Sequence, residues 1–165
     1  DRAIRDLTLA FGMDHIVLDR ERPSDPAASI YCSTTAITRG KPALTVESGA
    51  LGGTDAESTG RIVNGVESVM RHLKMLDGAP MRVNLPVYFD PAVVLVSPAT
   101  GILYPRVERD QKVAKGAVVA HVTDFFGSPL GEVRAPFDGL VLYVVATPPI
   151  QKGQPVAFVG AAAGP

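Results

Sequence analysis

The residue of this sequence best placed to do chemistry is Glu47. It closes the apolar run Pro42-Ala43-Leu44-Thr45-Val46 and is followed by Ser48-Gly49 and then Gly52-Gly53. Ligands of open α/β sheets bind beyond the carboxyl ends of strands, and glycines there allow turns that other residues resist. A carboxylate at such a point can meet a substrate closely, or it can end the strand and accept local backbone hydrogen bonds; position alone leaves both open. The three histidines, His15, His72 and His121, have no second ligand at coordinating spacing, so each is expected to be solvated or hydrogen-bonded rather than metal-bound. Cys32 is the single cysteine, which excludes an internal disulfide and makes a reducing, cytoplasmic setting the expectation. It sits in an apolar helical pattern with no neighbouring base, which predicts a buried, inert thiol.

The elements that must position these groups fall into two textures. Residues 1–80 alternate helical and strand patterns. The run from Arg2 carries apolar residues at helical spacing and stops at Gly12, a plausible residue after a helix end. His15–Asp19 reads as a short strand. A second helix is predicted over 25–40, with Pro26 in its first turn and Gly40 as its stop. Residues 42–47 read as a buried-type strand. Thr54 and Glu57 form a capping-box pair ahead of a long helix whose apolar face is Ile62, Val63, Val66, Val69, Met70, Leu73 and Leu76, ending before Gly78. This order implies parallel strands in a layered α/β domain, of which too few strands are present for a complete sheet.

Residues 81–165 are rich in proline, glycine and β-branched types, and they contain an internal repeat. The Pro-x-x-Gly turns ending at Gly101 and Gly139 lie 38 positions apart, and the Lys-Gly pairs ending at Gly116 and Gly153 lie 37 apart. Each copy reads as turn, strand, Lys-Gly turn, strand. Two copies are too few for a solenoid, so they are expected to pack their apolar faces into a pseudo-symmetric sandwich or barrel. From Ser97 to Gly160 this order resembles the barrel-sandwich hybrid fold of biotinyl and lipoyl carrier domains. Carrier chemistry needs a primary amine at the central hairpin, where this chain has Thr123-Asp124-Phe125-Phe126-Gly127; Lys112, Lys115 and Lys152 lie outside it. A carrier function is therefore not expected. Phe125, Phe126 and Pro129 either fold back onto the core or form a contact surface, at the mouth of an active site or against a second subunit. A homo-oligomer is the expected assembly.

Composition narrows the function classes. With 46% hydrophobic and 20% charged residues and a net charge of −1, the chain has the make-up of a globular protein with a real core and no electrostatic footprint for nucleic acid or an anionic membrane. Its apolar runs are strand-length, well short of the ~20 residues that span a bilayer. The chain starts at Asp1 without a methionine or a secretory pattern, which leads to the expectation of a piece of a longer protein.

The run "GKPALTVESGALG", the helix "VNGVESVMRHLKML" and then "SPATGILYPRVERDQKVAKG" together resemble the succinylglutamate desuccinylase/aspartoacylase family of zinc-dependent, carboxypeptidase-like enzymes. The similarity runs from "AFGMDHIVLD" to "GQPVAFVG" and matches the family's carboxy-terminal part. The resemblance implies a fold of α/β plus all-β: the C-terminal part of a zinc-carboxypeptidase-like domain over 1–80, then a barrel-sandwich hybrid over 81–165. It implies hydrolysis of the amide of a small N-acyl amino acid, with Glu47 as general base on a zinc-bound water. The family's zinc ligands, two histidines and a glutamate in His-x-x-Glu and Asp-Leu-His segments, are expected upstream of this chain, so the 165 residues alone are expected to be inactive. The aspartoacylase branch places a substrate-binding arginine shortly after a Thr-Thr pair. Here Ala36 follows Thr34-Thr35 and Arg39 comes a turn later, which puts N-acetylaspartate in question as the substrate. Arg39 can hold a substrate carboxylate or cap the last carbonyls of its helix. Tyr104 can reach an active-site mouth or pack its ring on its strand. The competing reading is a non-enzymatic binding or oligomerisation module with a carrier-like β fold.

Overall fold

The computed structural model describes residues 2–20 and 22–163, and they divide into two compact units, Asp1–Val87 and Tyr88–Pro165. No helix among the described residues is long and apolar enough to cross a membrane.

The first unit is built on α1 (Arg2–Phe11) and α3 (Ala56–His72). Helix α1 buries Leu7, Ala10 and Phe11 and ends as expected at Gly12, whose φ of 92° continues no right-handed helix. The packed face of α3 differs from the expected one. Gly65 and Ser68 are its buried residues, while Val63 and Leu73 are 50% and 53% exposed. The small residues decide this. The Phe11 ring lies against Gly65 where any Cβ would collide with it. Ser68 Oγ donates to the Ala10 carbonyl (2.5 Å) and accepts from the Met81 N–H (2.6 Å), so one hydroxyl ties three segments together. The cap also differs: Asp55, not Thr54, accepts from the Ser58 N–H (2.8 Å), and Glu57 pairs with Arg61 one turn on (2.6 Å). The helix stops at Leu73, because Lys74 turns left-handed (φ 63°) ahead of Gly78.

Between these helices lie β1 (His15–Val17), a 3-10 turn at Pro26–Ala28 and α2 (Cys32–Ile37). The helix expected over 25–40 is thus broken in two. Ser29 is extended (φ −81°, ψ 118°) and its hydroxyl lies within reach of the Asp25 and Thr34 carbonyls, the kind of local bond that competes with a continuous helix. Cys32 consequently starts a short helix and is exposed, correcting the expectation of a buried thiol. Residues 41–48 are irregular, not a strand, since no described segment forms a ladder with them.

The second unit contains β2 (Val87–Val96), β3 (Gly101–Pro105), β4 (Lys112–Val113), β5 (Val118–Thr123), β6 (Pro129–Arg134), β7 (Gly139–Val144), β8 (Pro149–Ile150) and β9 (Pro155–Ala163). One sheet orders its strands β6-β5-β3-β8, and the other contains the run β2-β9-β7-β4. The repeat read from the sequence explains both. Strands β3 and β7 hold equivalent places, as do β5 and β9. The short strand of each copy crosses to the other copy's sheet: β8 pairs with β3, and β4 with β7. Equivalent hydrogen bonds lock the exchange. Gly116 N–H donates to Ala135 O and Gly153 N–H to Ser97 O, both at 2.8 Å. Lys115 N–H reaches Asp138 Oδ1 (2.6 Å), and Lys152 N–H reaches Thr100 Oγ1 (3.0 Å). The core repeats as well, with Leu103, Val119 and Val122 answered by Val141, Val156 and Val159, all buried. The sheets face each other and do not close into a barrel among the described residues.

Candidate functional site

Glu47 leads into a compact turn over 48–53. Gly49 (φ 93°), Leu51 (φ 53°) and Gly52 (φ 67°) are all left-handed, and Gly53 N–H closes back on Ala50 O at 2.9 Å. The turn rests on the first turn of α3: a Cβ on Gly49 would meet Ser58 Cβ at 3.3 Å. Two residues before Glu47, Thr45 Oγ1 donates to Ser33 Oγ of α2 (3.0 Å). The glutamate is therefore held between an anchor on α2 and one on α3. Its carboxylate is exposed and accepts no hydrogen bond among the described residues, so the backbone-bonding alternative is not the one adopted. At the start of α3, the Ser58 N–H holds the Asp55 carboxyl below its ordinary range, keeping the cap ionised.

The other candidates are placed apart from this carboxylate in the bonding pattern. Arg39 Nη1 donates to the Thr35 carbonyl (3.0 Å), the helix-end role, and makes no ion pair with Glu47. His15 Nδ1 lies 2.8 Å from Asp14 Oδ1, and this bond is the main cause of the lowered Asp14 pKa. His72 lines a cavity of about 380 Å³ with Asp6, Leu9 and Met81. Among the described residues no three His, Cys, Asp or Glu side chains come together as a metal site, so a zinc ion does not fit the groups present here.

Tyr104 belongs to the second unit, where it takes part in a cluster that motif reading missed. Tyr104, His121 and Glu132 lie side by side across β3, β5 and β6. The Tyr104 and His121 rings stack at 4.9 Å with planes 10° apart. Arg106 Nε donates to His121 Nδ1 (3.1 Å), and Arg134 pairs with Glu132 while donating to Gly116 O (2.8 Å). Arg106, Val118, His121, Pro129, Gly131 and Glu132 line an open groove of about 650 Å³. A signal for it was present in the repeat. Superposing the copies at the observed register sets Val94, Tyr143 and Phe158 against Glu132, Tyr104 and His121.

Solved structures give the wider context. The product-bound ectoine utilization protein EutE (DoeB) from Ruegeria pomeroyi matches 97% of this chain and 49% of its own, at 25% identity and a TM-score of 0.82. Its apo form matches 97% and 51%, at 26% identity and 0.83. A succinylglutamate desuccinylase/aspartoacylase from Rhodobacter sphaeroides matches 100% and 52%, at 21% identity and 0.80. No protein-family model matches the chain, and no curated protein sequence does. The chain spans about half the length of the structures it matches, and over that half its fold is the fold of the succinylglutamate desuccinylase/aspartoacylase proteins.

Proposed function

We propose that the chain is part of a deacylase-type hydrolase that cleaves the amide of a small N-acyl amino acid, with Glu47 as general base. The observation that carries this reading is the Glu47 carboxylate: exposed, free of hydrogen bonds among the described residues, and held by a turn anchored on α3. An ionised carboxylate without a partner can take a proton from an attacking water, whose oxygen forms the new bond to the acyl carbon. The same carboxyl then returns that proton to the departing nitrogen as the C–N bond breaks, leaving a carboxylate and an amine. The fold shared with succinylglutamate desuccinylase/aspartoacylase structures supports the reaction class. On this reading residues 1–80 are the C-terminal part of a zinc-carboxypeptidase-like α/β domain, and the two interlocked sheets support a carrier-like barrel-sandwich hybrid over 81–165. Arg39 spends one of its five N–H donors on the Thr35 carbonyl and keeps the others for a substrate carboxylate.

The family resemblance adds a zinc requirement. The described residues hold no metal site, so this part of the reading needs ligands from polypeptide outside the chain. The test is Glu47→Gln in a polypeptide that carries those ligands, assayed on N-acetyl and N-succinyl amino acids. The expected result is unchanged metal content with hydrolysis reduced about 10²–10⁴-fold. Near-normal turnover by the zinc-loaded variant refutes the role, and zinc-dependent hydrolysis by the 165 residues alone refutes the need for outside ligands.

A second reading, a binding or oligomerisation module, draws on Phe125 and Phe126, which are 72% and 96% exposed on the β5–β6 hairpin. Light scattering of the chain against a Phe125→Ser, Phe126→Ser double variant separates the two. A homo-oligomer that dissociates on substitution supports assembly through the hairpin, and a monomer in both cases removes it.

A further inference from the structure

The two sheets of the second unit supply an internal control for what the fold itself requires. In the sheet containing β2, β9 and β7, the row Val94, Phe158 and Tyr143 is aliphatic and aromatic, with the Tyr143 and Phe158 rings 5.6 Å apart. The equivalent row on β6, β5 and β3 keeps the tyrosine but has Glu132 and His121, and Arg106 follows β3. An apolar row is sufficient to build the companion sheet, so packing alone does not demand this polar row.

Its donors and acceptors identify what that is. Arg106 is a guanidinium with five N–H donors. Its Nε is committed to His121 Nδ1, and its terminal nitrogens have no partner among the described residues. With Nδ1 accepting that bond, Nε2 is the nitrogen of His121 left to donate, on a residue that lines the groove. Stacking on Tyr104 fixes the plane of that ring. Glu132, the row's carboxylate, is paired with Arg134 through Oε2. What remains open is thus the terminal end of a guanidinium held through its Nε, a group able to meet a carboxylate in paired hydrogen bonds, with the His121 ring beside it. Val118, Pro129 and Gly131 supply an apolar wall beside it.

We infer that this groove binds the carboxylate of a small amphipathic acid, its charge on Arg106 and its aliphatic part along Val118 and Pro129. The site lies wholly within the second unit and does not depend on Glu47 being a catalytic base.

The test is an NMR titration of the 165-residue chain with hexanoate, hexanamide and hexylammonium, read on the His121 Hε1 and Tyr104 ring protons. Hexanoate is expected to give saturable shifts and to bind about tenfold or more tighter than hexanamide, the margin of a charge-assisted hydrogen bond over a neutral one. Arg106→Gln should abolish that preference, and Arg106→Lys, which keeps the charge but loses the fork, should restore only part of it. His121→Phe converts the row toward its apolar counterpart and should also weaken hexanoate binding. Equal binding of hexanamide, a preference for hexylammonium, no saturable shift, or a hexanoate preference that survives Arg106→Gln each overturns the inference. The three-probe comparison on the unaltered chain decides the matter if a variant does not fold.

Discussion

The sheets β6-β5-β3-β8 and β2-β9-β7-β4 follow one plan inside and two plans outside. Their buried positions hold the same kinds of residue at equivalent places, 37 or 38 positions apart, because each sheet must fill the same space against the other. Their outer rows differ: one carries a charged and hydrogen-bonded cluster, the other aromatic and aliphatic side chains. Duplicated architecture therefore separates what packing demands from what is left for function. Shared residues report on stability, and unshared ones are where specific chemistry can be sought. The copies also differ at their ends, since β5 and β6 are joined by a hairpin and their counterparts β9 and β2 are not joined in sequence.

The hardest blow to the shared plan is expected at its paired glycines. A Cβ on Gly101 would collide with the Thr123 carbonyl, and one on Gly139 would meet the Gly160 carbonyl at 2.6 Å. Because the obstacle is backbone in both cases, Gly101→Ala and Gly139→Ala should each cost about 3 kcal/mol or more in chemical denaturation. A large loss at one with tolerance at the other would break the equivalence of the sheets.

A smaller effect should distinguish them by pH. Asp124 accepts the Phe126 and Ser128 N–H groups, each at 2.8 Å, in the hairpin that only the first sheet has. These bonds, Ser128 first, hold its carboxyl below the ordinary range. A carboxyl lowered in the folded state stabilises above the unfolded value of about 3.9 and loses that contribution as pH falls through the lowered folded value. Acid titration by NMR should move the Phe126 and Ser128 amides with a midpoint below the usual aspartate value, while the β7 and β9 amides stay in place. A midpoint at or above the ordinary value would show that the hairpin is not held this way.

Much of the second unit was legible because its signals are local. The Pro-x-x-Gly and Lys-Gly turns mark strand ends wherever they occur, and their spacing exposed the repeat. The exchange of β4 and β8 between sheets was not legible, since a two-residue strand carries no mark of its partner. The first unit shows the same limit. The apolar pattern of α3 was real, but Gly65 and Ser68 won the contact with α1 through close approach and a hydrogen-bonded hydroxyl. Cys32 was expected inside a long helix that Ser29 interrupts. Glu47 stood out because glycines punctuate its surroundings, although the strand expected before it is irregular here. Arg106, His121 and Glu132 went unread as a group because only strand register makes them neighbours.

The sequence by itself determined where turns fall, which positions are apolar, that the second half is doubled, and that a glutamate precedes a glycine-rich turn. Those properties depend on each residue and its near neighbours. The tertiary structure decided which apolar residues are buried, which copy lends a strand to which sheet, and which charged side chains share one row. Each of these is a choice among partners distant in the chain, settled by packing and hydrogen-bond satisfaction in the folded molecule.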